Sequence, residues 1–133
     1  MSQEAKILIV DDEIQVREII KEYLEAIIEC QVFDSGEGQD ALDKIKADSF
    51  DLIILDLKMP GVSGLDIIKT VRKQKPPPDI LVTTAWDSAQ VADEVIKEGA
   101  TDYIVKPVTL ETLKLKVKNI LEKKGKYLEK SRS

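Results

Sequence analysis

The sequence predicts an α/β fold, a doubly wound parallel sheet of five strands with helices on both faces. Short apolar runs without polar alternation predict strands buried on both sides, and residues 7–10 and 51–56 are the clearest. Between such runs, apolar residues recur at the spacing of amphipathic helices. Strand and helix alternate five times, and right-handed crossovers then bring every strand's carboxyl end to one rim. Open α/β sheets place their chemistry at that rim. A length of 133 residues suits one domain. Residues 1–124 read as that domain and residues 125–133 as a short polar tail.

Ile7-Leu8-Ile9-Val10 forms the first strand and runs into Asp11-Asp12-Glu13. Ile14, Ile19, Ile20, Tyr23, Leu24, Ile27 and Ile28 then mark the inner face of a first helix. Gln31-Val32-Phe33 is a short second strand, expected at an edge. Gly36-Glu37-Gly38 leads into a second helix carrying Ala41, Leu42 and Ile45. The third strand ends in Asp56, and the chain breaks at Pro60-Gly61, because proline cannot continue a central ladder. Residues 64–74 form a third helix with Leu65, Ile68 and Val71 inward, stopped by Pro76-Pro77-Pro78. Ile80-Leu81-Val82-Thr83-Thr84 is the fourth strand. Ser88 is placed to cap a helix with Val91, Ala92, Val95 and Ile96, closed by Gly99. Thr101-Asp102-Tyr103-Ile104-Val105 is the fifth strand and meets Lys106-Pro107. Thr109 caps a last helix with Leu110, Leu113, Val117, Ile120 and Leu121 inside.

Composition excludes several functions. A net charge of −5 argues against direct nucleic-acid binding. One cysteine, Cys30, cannot form an intramolecular disulfide, and with no histidine there is no Cys/His zinc set and no His-based acid–base catalysis. No apolar run approaches the ~20 residues of a membrane helix, and the amino terminus lacks the apolar stretch of a signal peptide, so a cytoplasmic location is the default expectation.

Asp11, Asp12, Asp56, Thr84 and Lys106 all stand at strand ends, so they converge if the sheet order brings those strands together. Carboxylates crowded at one rim repel one another unless a positive charge offsets them. A hard divalent cation with oxygen ligands and some retained water, Mg²⁺, answers that need. A carboxylate beside such an ion can attack a phosphoryl group, with Lys106 as counter-charge and Thr84 as hydroxyl donor.

These pieces resemble the receiver domain of two-component response regulators. The match rests on Ile7-Leu8-Ile9-Val10-Asp11-Asp12-Glu13, Asp56-Leu57-Lys58-Met59-Pro60-Gly61 with Gly64, Thr84-Ala85, and Tyr103-Ile104-Val105-Lys106-Pro107, and covers about residues 5–124. The resemblance implies a flavodoxin-like (βα)5 fold with strand order 2-1-3-4-5. It implies that Asp56 accepts a phosphoryl group from a sensor histidine kinase or phosphotransfer protein. Asp12, Asp56 and the Lys58 carbonyl would hold Mg²⁺, with Asp11 acting mainly through water. Thr84 and Lys106 would bind the phosphoryl group, Tyr103 would swing inward, and the Lys106–Pro107 bond would be cis. The position of Lys58 and that of Trp86 influence hydrolysis in the family, and the bulk of Trp86 suggests a slowed attack by water. The resemblance further implies a switch, not a turnover enzyme, that acts on a downstream protein target or on an output domain outside this chain. A homodimer through the last helices is compatible with it, although no exposed apolar run argues for one.

Other readings fail on charge or spacing. Gly36-Glu37-Gly38-Gln39-Asp40-Ala41 fits a dinucleotide pattern, but Glu37 and Asp40 would face a pyrophosphate. Asp11, Asp12 and Glu13 would likewise face the phosphate of a flavin. No second acid lies two residues after Asp56, as one family of phosphatases requires. No glycine-rich loop ending in Lys-Ser/Thr is present. The competing function is an interaction module that keeps the fold without being phosphorylated.

Overall fold

The computed structural model describes residues 4–59, 61–85 and 89–130. The elements in chain order are β1 (Ala5–Val10), α1 (Ile14–Ile27), β2 (Cys30–Ser35), α2 (Gly38–Ala47), β3 (Leu52–Asp56), α3 (Gly64–Val71), β4 (Asp79–Thr84), α4 (Ala89–Glu98), β5 (Asp102–Val105) and α5 (Leu110–Lys123). The strands form one parallel sheet in the order β2-β1-β3-β4-β5. The α/β class and the strand order are those expected.

Two apolar layers sandwich the sheet, and strand alternation divides them. Ile7 and Ile9 of β1, Leu52 and Ile54 of β3, and Leu81 of β4 face Ile20, Leu24 and Ile27 of α1 and Leu113, Val117, Ile120 and Leu121 of α5. Leu8, Val10, Ile53, Leu55, Ile80 and Val82 face Ala41 and Ile45 of α2, Ile67, Ile68 and Val71 of α3, and Val95 of α4. Each fully buried Ile or Leu contributes about 1.5–3 kcal/mol. The central strands β1 and β3, apolar on both faces, therefore fix the register on which the site depends. Ser63 caps α3 by accepting from the Asp66 N–H at 3.2 Å, and Thr109 caps α5 by accepting from the Thr112 N–H at 3.2 Å. The proposed cap of α4, Ser88, lies outside the described residues.

Some expectations need correction. Ile14 is 58% exposed and Ile19 39%. The inner stripe of α1 is Ile20, Leu24 and Ile27, and Ile14, six residues before Ile20, lies about 120° around the helix from it. Ile96 and Leu110 are also exposed instead of inward. The second strand extends to Cys30–Ser35 at the edge of the sheet. The third helix ends at Val71, not residue 74, because its last turn tightens: the N–H groups of Lys73 and Gln74 reach back three residues, to Thr70 and Val71.

Residues 126–130 are docked rather than trailing. The Lys126 N–H donates to the Leu121 carbonyl at 2.9 Å, the Glu29 N–H to the Leu128 carbonyl at 2.8 Å, and the Lys130 N–H to the Ile27 carbonyl at 2.9 Å. Glu129 makes an antiparallel bridge with Ile28, and Tyr127 packs on the α1/α5 layer. Among the described residues no helix is long and apolar enough to cross a membrane.

Candidate functional site

The register of the sheet builds the site. Val10 of β1 pairs with Leu55 of β3, so Asp11 and Asp56, each one residue further on, meet at the carboxyl rim. On the other side Asp56 pairs with Thr83, and Thr84 with Val105, which brings the end of β4 and Lys106 alongside. Carboxylate oxygens of Asp11, Asp12 and Asp56 all lie within 4.8 Å of one another. Asp11 and Asp56 are buried, whereas Asp12 is exposed. The Lys106 Nζ reaches Asp11 Oδ2 at 3.0 Å and Asp56 Oδ2 at 3.5 Å.

The electrostatics follow from this crowding. Burial, and then the negative charge of Asp11, push the Asp56 carboxyl up to about 6; Lys106 and the Lys58 N–H, 3.2 Å from Asp56 Oδ1, offset only part of that. Burial alone would lower the Lys106 ammonium, but its bond to Asp11 and the charges of Asp56 and Asp11 hold it above its ordinary value. Lys106 thus stays a cation. Lys106 pairs with Asp11 and Asp56, and the negative charge that the three clustered acids leave over is what a further cation would neutralise. The donor set fits a hard divalent ion: all oxygen, closely spaced, and open to water on the Asp12 side.

Thr83 and Thr84 are both buried, and Thr84 stands one step nearer the rim. Its carbonyl accepts the Lys106 N–H at 2.7 Å, so β4's end and the Lys106 loop are tied together. The Lys106–Pro107 peptide is cis. Lys58 is exposed, and its N–H donates to Asp56 Oδ1. Tyr103 is half-buried on β5, with the Lys116 Nζ 5.8 Å from its ring centroid. Trp86 lies outside the described residues. Sequence reading missed Arg17, whose guanidinium Nη1 donates to the Asp11 carbonyl at 2.8 Å. A basic residue in the first turn after an acidic loop was its only signal.

Comparison with known proteins gives this geometry a family. The family model for the response regulator receiver domain matches residues 7–118. The chain belongs to that family. This receiver domain is 37% identical over 123 residues to the transcriptional regulatory protein ResD of Bacillus subtilis (strain 168), covering 92% of this chain and 50% of ResD. It is 39% identical over 121 residues to the response regulator ArlR of Staphylococcus aureus (strain Mu50 / ATCC 700699), covering 89% of this chain and 53% of ArlR. The chain therefore spans about half the length of these curated relatives. Among solved structures, the chemotaxis response regulator CheY4 of Vibrio cholerae matches with a TM-score of 0.81 and 34% identity, over 88% of this chain and 98% of that one. The receiver domain is a signalling module of two-component systems, and the acidic cluster lies at the rim of its central strands.

Proposed function

We propose that Asp56 of this receiver domain accepts a phosphoryl group from the phosphohistidine of a sensor histidine kinase or phosphotransfer protein. The observation that carries this reading is one buried carboxyl, Asp56, set between two further acids and an ammonium 3.5 Å away. Asp12, Asp56 and the Lys58 carbonyl would hold Mg²⁺. Both Asp11 oxygens already accept hydrogen bonds, from the Glu13 N–H and Lys106, which suits a role through water. When bound, the ion supplies charge neutralisation at the phosphoryl oxygens. Asp56 Oδ attacks phosphorus, and the bond to the donor nitrogen breaks with its electron pair returning to the imidazole. Lys106 offsets charge on one phosphoryl oxygen and the Thr84 hydroxyl donates to another.

The adduct adds negative charge where Lys106 and Thr84 can follow it. Because the Lys106 N–H is bonded to the Thr84 carbonyl, the end of β4 and the loop after β5 move as a pair. Tyr103 and the α4–β5–α5 face then change, and a downstream target or output domain reads them. The chain is on this reading a switch that promotes only its own phosphorylation and dephosphorylation. Lys58 and Trp86 set how long the adduct lasts, and Trp86→Ala should shorten its lifetime by admitting water; an unchanged decay rate would rule that role out.

Intact-mass spectrometry after incubation with Mg²⁺ and acetyl phosphate tests the core of the proposal. One phosphoryl increment is expected, lost with a chelator and absent in Asp56→Asn. No increment under any condition would favour a module that only keeps the fold.

A further inference from the structure

Arg17 bonds the main chain of the acidic loop. Its side chain is only 15% exposed, and its guanidinium forks: Nε bonds Asp34 Oδ2 at 2.7 Å and Nη1 bonds the Asp11 carbonyl at 2.8 Å. That carbonyl belongs to the peptide linking Asp11 to Asp12. The Asp11 N–H is held as well, by the Ser35 carbonyl at 3.1 Å. Asp34 and Ser35 are the last two residues of β2. The loop that carries two of the three acids is thus clamped on both sides to the end of the edge strand.

We infer that Arg17 is a positioning residue for divalent-cation binding: its guanidinium fixes the Asp11–Asp12 peptide plane, and so the place of the Asp12 carboxylate relative to Asp11 and Asp56. This rests on the reading of the three acids as a Mg²⁺ site. The ordinary alternative is a surface ion pair with Asp34, which is half exposed; such pairs are worth at most about 1 kcal/mol. The two roles differ in sign. Removing a positive charge beside an acidic pocket would by itself tighten cation binding. Weaker binding must therefore come from lost geometry.

Gly36 offers a way to move the guanidinium without deleting it. A Cβ at Gly36 would stand 2.7 Å from Arg17 Nη1 and 3.3 Å from its Cζ. The obstacle is the far end of a flexible side chain, so Gly36→Ala displaces the fork at small cost to the fold.

The test is Mg²⁺ titration by isothermal calorimetry, with thermal shift as a second readout, on the wild type, Arg17→Ala, Arg17→Lys and Gly36→Ala. Arg17→Ala should weaken binding by about tenfold or more, as loss of an outer-shell partner does. Arg17→Lys keeps the charge but lacks the planar fork, and should recover only part of the affinity. Gly36→Ala should fall between Arg17→Ala and wild type. If Arg17→Ala does not fold, Gly36→Ala alone carries the test. Binding unchanged or tightened in Arg17→Ala or Gly36→Ala would overturn the inference while leaving the metal site standing. A wild type that takes up no Mg²⁺ would overturn both.

Discussion

Asp56 is held in the folded chain at a cost that pH should reveal. Its carboxyl stands at about 6 against an ordinary 3.8, raised by burial and by Asp11. Because the folded-state value is the higher one, the folded form binds more protons between about pH 4 and pH 6. Stability contributed by the protonated form is present below about pH 4 and is lost as pH rises through about 6. A shift of about two units corresponds to at most ~3 kcal/mol. Asp56→Asn should therefore be more stable than wild type at pH 7–8 in chelator, by about 1–3 kcal/mol, with the gap closing below about pH 4. Urea denaturation across that range reads it directly, and an Asn variant that is less stable at pH 7.5 would contradict this account of the site's electrostatics. The acids and Lys106 were legible in the sequence because each follows a short apolar run that could only be a strand. Arg17 was not: a bond from a helix side chain to a main-chain carbonyl leaves no periodic mark in the sequence.

At the scale of elements, α3 is seated against the loop that follows Asp56. A Cβ at Gly64, the first residue of α3, would stand 2.8 Å from the Leu57 carbonyl oxygen and 3.0 Å from Leu57 Cα. These are backbone atoms, so the helix or the loop must yield. Gly64→Ala should cost about 1–3 kcal/mol, the range for overpacking, and should slow labelling of Asp56 by shifting Leu57 and Lys58. Chemical denaturation together with acetyl phosphate labelling rates checks both effects. Loss of stability at an unchanged labelling rate would separate α3 from the site. The elements themselves were readable from two signals, short unbroken apolar runs for the strands and helical spacing between them. The misplacements fell on residues beside the buried stripes: Ile14, Ile19, Ile96 and Leu110 are apolar and exposed. Apolar residues are common on protein surfaces, and periodicity alone does not say which member of a stripe lies at its border. The tightened last turn of α3 was hidden for a similar reason, since Arg72, Lys73 and Gln74 suit a helix as well as a turn.

Across the whole molecule, the segment from Lys126 to Lys130 joins α5 to the end of α1 and the approach to β2. Its polar composition read as a tail because its docking is mostly main-chain hydrogen bonding, which any sequence can make. Tyr127 anchors it with a buried hydroxyl that has no hydrogen-bond partner among the described residues. Tyr127→Phe should leave stability unchanged or raise it by about 1 kcal/mol, since it removes an unsatisfied polar group. Tyr127→Ala should destabilise and raise amide exchange at Glu29 and Lys130. Exchange unchanged in Tyr127→Ala would show that the main-chain bonds hold the segment unaided. The sheet order brings the ends of β1, β3, β4 and β5 together at one rim, and the proposed function follows from the charge gathered there. The most direct measurement is reductive trapping: treat the chain with Mg²⁺ and acetyl phosphate, reduce with borohydride, and map the peptides. Homoserine at position 56 alone, dependent on both donor and Mg²⁺, is the expected result. Intact Asp56, or homoserine at another acid, in a sample that calorimetry shows to hold Mg²⁺, would contradict the central claim.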